Sequence, residues 1–318
     1  MTQTAQAPVV TAPQSSLFVT GNFPHRRWLL LGLSLIAGLV LSYLWSADLV
    51  DDQIGVNSAD TVLGHSPTAP ISSIASGIVF AFVSGMAGSF TACNIAAFGA
   101  VGPLVGQHQT RRAKFMSTIR PLGWVSVGLI TVSAIYGVIV GLVGTRMPQF
   151  SNVKGTGITP RTAQSMIAFG VVGLAMVVLG LASAGVIKDP LGAVSRRFPN
   201  SPLVIMGALI GGFLVGRPYP LFHNLFRHAA STHDPFYGAL AFALQSVGNI
   251  VVMALLFILL SYGTGGRLQT WMAGKPGRIA SVTAGAFVVA GAFTLAYWEL
   301  RVLGRLGYMW FPTAPWNN

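Results

Sequence analysis

Residues 85–106 read GMAGSFTACNIAAFGAVGPLVG. The stretch is almost wholly apolar, rich in glycine, and holds Cys93, the only cysteine of the chain. It closes a longer apolar region, Ile71 to Val105, which exceeds the roughly 20 residues one membrane-spanning helix needs. The second half of that region is therefore expected to bend or break inside a membrane. Composition supports that setting. The 318 residues are 53% hydrophobic and 8% charged, and the mean hydropathy is +0.65. A soluble domain of this size carries about a quarter charged residues, so too few charges are present to cover a water-facing surface. The chain reads as an all-α polytopic membrane protein.

Outward from that stretch, residues 1–24 are polar and read as a disordered tail. Residues 25–47 form a first hydrophobic helix behind His25, Arg26 and Arg27. It is long enough to span, and its end, SYLWSAD, is a poor cleavage site, so a retained helix is expected rather than a signal peptide. Residues 48–70 form a polar loop with Asp48, Asp51, Asp52 and Asp60 and no basic residue. Residues 71–300 hold the remaining spans: Ile71–Val105, Leu122–Val143, Ala163–Val186, Leu203–Phe226, Tyr237–Tyr262 and Ile279–Leu300. Residues 301–318 are an aromatic interfacial tail. The expectation is seven transmembrane helices, one preceding a six-helix core.

The net charge of +12 has no basic run with interleaved aromatics, which argues against nucleic acid. Its distribution gives an orientation instead. With the N-terminus in the cytoplasm, twelve Lys and Arg fall inside and six outside, with Arg217 within a span. The positive-inside rule then predicts a cytoplasmic N-terminus and an extracytoplasmic C-terminus. The six core helices divide three and three, and each half opens on a glycine-rich span: GSFTACN from Gly88 and GGFLVGRPYP from Gly211. Three helices per half give opposite topologies, so two inverted three-helix repeats with interrupted first helices are expected, the breaks marking a site.

Several residues sit where chemistry is costly. Arg217 is a guanidinium inside a span. Pro218 and Pro220 remove backbone donors beside it, and with Tyr219 they predict a broken helix facing a cavity or the bundle interior. Asn94, Gln245 and Asn249 are polar at membrane depth, and the last two are four apart, on one helix face. They line the same cavity or bond helix to helix. Glu299 pairs with Arg217 or lies at the interface. His223, His228 and His233 are spaced by five, which does not put them on one helical face; as a group they suit a metal only on a loop, and no metal or other cofactor is expected. A single cysteine excludes an internal disulfide or a cysteine cluster. No Walker lysine loop, HExxH motif or acid pair is present, so no self-contained enzyme signature emerges.

GMAGSFTAC (Gly85–Cys93), GALIGGFLVGRPYP (Gly207–Pro220) and the helix DPFYGALAFALQSVGNIVVMALLFILL (Asp234–Leu260) resemble the CcdA/DsbD transmembrane family of cytochrome c biogenesis, over roughly residues 70–300. The family's first motif ends in proline–cysteine; Ser89, Phe90 and Cys93 match, with Ala92 at the proline. Its second motif also ends in proline–cysteine, and here either Gly216 or Tyr219 falls at that cysteine. The resemblance implies a bacterial inner or plasma membrane and a thiol–disulfide electron carrier. Disulfide exchange needs two sulfurs, so the resemblance leaves Cys93 as the reactive thiol and a thioredoxin-like partner as the source of the second. Two other readings stay open: a small-solute or ion transporter with Arg217, Asn94 and Gln245 in its path, and a non-catalytic membrane subunit of a larger complex.

Overall fold

In the computed structural model, residues 16–19, 21, 23–46, 49, 53, 55–63, 69–89, 111–151, 157–217, 219–263, 271, 274–275 and 277–317 are described. Among them the chain is all-helical, with no strand. The helices are α1 (Arg27–Leu44), α2 (Asn57–Leu63), α3 (Ile74–Ala87), α4 (Arg111–Val143), α5 (Pro160–Ser183), α6 (Gly192–Arg197), α7 (Ser201–Gly216), α8 (Pro220–Thr232), α9 (Pro235–Gly263), α10 (Arg278–Leu295) and α11 (Arg301–Arg305). A π-helical turn, Ala296–Leu300, joins the last two.

Among the described residues five helical segments are long and apolar enough to cross a membrane: Arg27–Leu44, Ile119–Arg146, Pro160–Ser183, Pro235–Leu259 and Arg278–Arg305. Their large apolar side chains point outward as well as inward. Leu142 is 67% exposed, Ile167 70% and Leu259 68%. In water such stripes would be a liability; against acyl chains they are the expected outer surface. The protein is a multi-pass membrane protein.

The starts of these helices follow their sequences. Ser73 and Ser76 form a reciprocal capping box at α3. Thr159 accepts from the Thr162 N–H at 3.2 Å ahead of Pro160. The Asp234 Oδ1 accepts from the Phe236 N–H at 2.9 Å ahead of Pro235. Each cap satisfies donors that the first helical turn leaves unpaired.

Packing rests on glycines that let backbones touch. A side chain on Gly85 of α3 would collide with the Gln245 carbonyl and the Asn249 N–H of α9, and one on Gly248 of α9 with the Phe82 carbonyl and the Met86 N–H of α3. The same reciprocal pattern joins α7 and α4. Gly207 faces the Val125 carbonyl and the Leu129 N–H, and Gly128 faces the Val204 carbonyl and the Ala208 N–H. One core cluster, with Leu129, Phe169, Met176, Met206 and Phe287, fills the space among α4, α5, α7 and α10. A second surrounds α8, with Phe222, Leu225, Phe226, Phe242 and Tyr136.

Three sequence expectations change in detail. The span expected as Leu203–Phe226 is two helices, α7 and α8, bent by 79° where Arg217 interrupts them. The loop after α1 contains a short helix, α2. The N-terminal segment expected as a free tail is anchored at its end: the Ser16 N–H donates to Asp189 Oδ2 at 2.8 Å, and Phe18, 1% exposed, packs edge-on against Phe287 at 5.2 Å. The buried Phe18 ring and the Ser16 hydrogen bond hold the end of a segment whose composition is otherwise that of a disordered chain.

Candidate functional site at a broken helix

The end of α7 presents a problem that the surrounding residues solve. A helix leaves its last carbonyls without intrahelical donors. Pro218 and Pro220 have no N–H to offer. Side chains from two other segments supply the donors. The Gln164 Nε2 donates to the Val215 carbonyl at 2.6 Å, the Ser165 hydroxyl to the Gly216 carbonyl at 2.7 Å, and the Gln149 Nε2 to the Arg217 carbonyl at 3.0 Å. Tyr136, buried on α4, links the two amides. Its hydroxyl donates to Gln149 Oε1 at 2.6 Å and accepts from Gln164 Nε2 at 3.1 Å. The break is thus a built structure with its carbonyls satisfied.

Arg217 lies at the bend. Its Nη2 donates to the Gly88 carbonyl at 2.7 Å, just past the end of α3. Its guanidinium lies over the Tyr219 ring, 4.8 Å from the centroid, a cation–π contact. Gly88 has no side chain to keep the guanidinium away. One residue therefore joins the end of α7 to the end of α3. Tyr219 is buried, its hydroxyl against Gly55, and Pro220 opens α8.

Above the bend, α8 is amphipathic. Leu221, Phe222, Leu225, Phe226, Ala229 and Ala230 are buried, while His223, Asn224, Arg227 and His228 form the partly exposed side. The Asn224 amide donates to the Ala69 carbonyl at 2.8 Å. Arg227 lies over the Phe150 ring at 4.9 Å, and Phe150 follows the Gln149 that holds the Arg217 carbonyl. Arg161, in the first turn of α5, is one turn before Ser165, whose hydroxyl lies 3.1 Å from the Arg161 carbonyl. Arg161 and Arg227 are close enough to act electrostatically on each other and on His223.

The other expected site residues distribute as follows. Cys93, Asn94 and Pro218 lie outside the described residues. Gln245 is 2% exposed, and neither its Nε2 nor its Oε1 has a hydrogen-bond partner among the described residues. Its backbone and that of Asn249 form the α3 contact, and the Asn249 carbonyl lies 3.5 Å from the Ser89 hydroxyl. No described contact joins either side chain to Arg217. Glu299 packs against Gly170 rather than pairing with Arg217. Arg301, 3% exposed, donates to the Trp45 carbonyl at 3.3 Å. His223 and His228 are on α8, and His233 ends it in a left-handed conformation at φ +53°. Among the described residues no group of three or more His, Cys, Asp or Glu could hold a metal ion. Tyr136, Gln149, Gln164 and Ser165 were not visible as site residues. The paired prolines announce unsatisfied carbonyls, but nothing in the sequence says which donors reach them.

Compared with known proteins, the chain matches no family model, no curated protein and no solved structure.

Proposed function

We propose that this protein is a carrier of the CcdA/DsbD type, an N-terminal helix followed by a six-helix core of two inverted three-helix repeats, which exchanges a disulfide with a thioredoxin-like partner through Cys93 in a bacterial inner or plasma membrane. The observation that carries this reading is the Arg217–Gly88 bond. It ties the interruption in the second half to the end of the helix that opens the first half, five residues before Cys93. The repeat architecture is supported by the reciprocal glycine contacts. Adding 122 to Phe82, Gly85 and Met86 gives Val204, Gly207 and Ala208; adding 120 to Val125, Gly128 and Leu129 gives Gln245, Gly248 and Asn249. The α3–α9 and α7–α4 contacts then correspond in sequence, which supports a pseudo-two-fold relation between the halves.

In the chemistry proposed, the Cys93 thiolate attacks one sulfur of a partner disulfide. A mixed disulfide forms and the second partner sulfur leaves as a thiolate. A further partner thiol then attacks the mixed disulfide and returns Cys93 to the reduced form. Arg217 is the candidate cation for holding that thiolate in an apolar setting. The test is thiol trapping in acid-quenched cells, comparing wild type with Cys93→Ser. A reductant-sensitive adduct that depends on Cys93 is expected. A cysteine that stays reduced, with normal Cys93→Ser cells, sinks the redox reading.

A second reading, transport of a small anion on the same scaffold, is favoured by a separate observation. Arg217 lies at the bend, and Arg161 and Arg227, on the helices α5 and α8 beside it, stand within electrostatic range of each other.

A further inference from the structure

The end of the bundle where α1 begins collects positive charge by contact. The Arg27 Nη1 donates to the Gly185 carbonyl at 2.9 Å, at the finish of α5. Gly185 has φ +72°, and the Phe23 ring lies where a side chain on it would be. Asp189, four residues on, accepts from the Ser16 and Leu191 N–H groups at 2.8 and 2.9 Å. The segment ahead of α1 is therefore fastened to the turn between α5 and α6 through Ser16, Phe23 and Arg27. Arg26 and Arg27 are brought to the turn that carries Lys188, and the last turn of α6 adds Arg196 and Arg197. All five cations are exposed. Asp189 is the carboxylate of this turn, and it is occupied by the two N–H groups. The other described carboxylates lie elsewhere: Asp60 on α2, beyond the finish of α1, Asp234 at the start of α9, and Glu299 against Gly170, halfway along α5.

Apolar side chains are interleaved with these charges. Trp28 is 71% exposed and Phe198 60%. Val194, one turn before Phe198, is also exposed, and its carbonyl accepts from the Phe198 N–H at 2.9 Å. The Arg197 guanidinium lies over the Phe198 ring, 5.8 Å from the centroid. A charge run by itself is a solvated face. Bare tryptophan and phenylalanine among the charges, at the ends of membrane-crossing helices, suit the boundary between headgroups and acyl chains.

We infer that Arg26, Lys188, Arg196 and Arg197, with Trp28 and Phe198, form a docking surface for the headgroups of anionic phospholipid. Headgroup phosphates supply the counter-charge that this turn of the chain lacks, and the two rings enter the acyl boundary beside them. Position argues for lipid as well as charge does: Leu29 and Ile187, next to these residues, are exposed apolar side chains at helix ends. The surface lies at the end that the count of basic residues puts in the cytoplasm. Arg27 serves as the fastening, through its bond to Gly185. This surface is separate from the bend and belongs to neither the redox nor the transport reading.

The full chain is purified in detergent, and its thermal unfolding is followed as phosphatidylglycerol or phosphatidylcholine is added. A lipid that binds the folded chain raises the melting temperature. Phosphatidylglycerol is expected to act at lower concentration than phosphatidylcholine, with the difference shrinking as salt rises. In the double variant Arg196→Gln, Arg197→Gln the apparent affinity for phosphatidylglycerol should fall about tenfold. Arg196→Lys, Arg197→Lys should keep it, because headgroup attraction needs the charge and not the guanidinium fork. The substituted side chains are exposed and Arg27 is left in place, so the fastened segment stays where it is. Arg146→Gln is the control. Arg146 is exposed near the opening of α5, about 36 Å from this surface along that helix, and its loss should leave the preference intact. An equal loss in Arg146→Gln overturns the inference, since net charge alone would then set the preference. So does a phosphatidylglycerol preference that survives the double variant. Displacement of the lipid by inorganic phosphate but not by chloride, at matched ionic strength, would assign the charges to a free ion and overturn it too. If the double variant loses a copurifying protein and keeps its lipid preference, the surface is a protein interface and the inference fails.

Discussion

Gln149 illustrates why a broken membrane helix needs residues outside itself. It is 1% exposed, and its amide bonds both Tyr136 and the Arg217 carbonyl. Away from water, a carbonyl with no donor costs several kcal/mol on the scale of apolar transfer and about 1–3 kcal/mol in protein mutants. Gln149→Leu strands the Arg217 carbonyl and removes the acceptor of the Tyr136 hydroxyl, so a loss of about 2–3 kcal/mol is expected. Tyr136→Phe leaves both amide-to-carbonyl bonds in place and should lose only about 1 kcal/mol. Equilibrium unfolding in mixed micelles reads the order of the two. If Tyr136→Phe proved as damaging as Gln149→Leu, carbonyl satisfaction would not be what holds the bend. Arg217→Lys keeps a charge but loses the planar fork that lies on Tyr219 and reaches Gly88. In the redox reading it should therefore lower the yield of the Cys93 adduct relative to wild type; an unchanged yield would remove Arg217 from that chemistry.

At the scale of elements, the helix pairs are set by which positions lack a side chain. Gly207 and Gly85 bring backbones together at equivalent places in two different pairs, whereas Gly32 on α1 has open space around it. Gly207→Ala and Gly85→Ala should each force their helices apart and destabilise by about 1–3 kcal/mol. Gly32→Ala should be neutral or slightly stabilising, because alanine is the better helix former. Similar losses at Gly207 and Gly85, measured by the same unfolding assay, are what the repeat reading expects. A loss at only one of them would count against equivalence. The break between α7 and α8 was legible because proline chemistry is local: a charge followed by two prolines one residue apart does not continue a helix. The 79° turn and the amphipathic α8 were not, because hydropathy sees Leu221, Phe222, Leu225 and Phe226 as a continuation of an apolar run. Only the alternation with His223, Asn224, Arg227 and His228 betrays a helix with a polar side. α2 was missed for a different reason. Its seven residues bury one alanine fully and carry only two further apolar side chains, the adjacent Val62 and Leu63, so no periodic signal exists to be read.

For the whole molecule, contacts between chain ends and helix ends fix the sense of the bundle. Ser16 bonds Asp189 and Arg27 bonds the Gly185 carbonyl, so the N-terminal segment lies where α5 finishes. At the opposite end, Arg301 and Trp316 donate to the Trp45 and Leu44 carbonyls at the finish of α1, each at 3.3 Å. These two bonds satisfy carbonyls that α1 leaves open and tie the C-terminal tail to the first helix. The start of α9 meets the finish of α4 through Asp234, Pro235 and Gly141, and the finish of α7 meets the start of α5 through Ser165. The described chain thus has Ser16 at one end of the bundle and Trp316 at the other, an arrangement that goes with an odd number of crossings. Seven satisfies this if α7 and α8 together count as one crossing and α3 is the beginning of another. Combined with twelve basic residues on the N-terminal side against six on the other, the topology expected is N-terminus in and C-terminus out. A fluorescent-protein fusion at the N-terminus should then fluoresce, and an alkaline phosphatase fusion after Asn318 should be active. An inactive phosphatase paired with a fluorescent C-terminal fusion would mean an even count. It would also put Arg161 and Arg227 on the cytoplasmic side, where the charges that make the bend unusual would be ordinary.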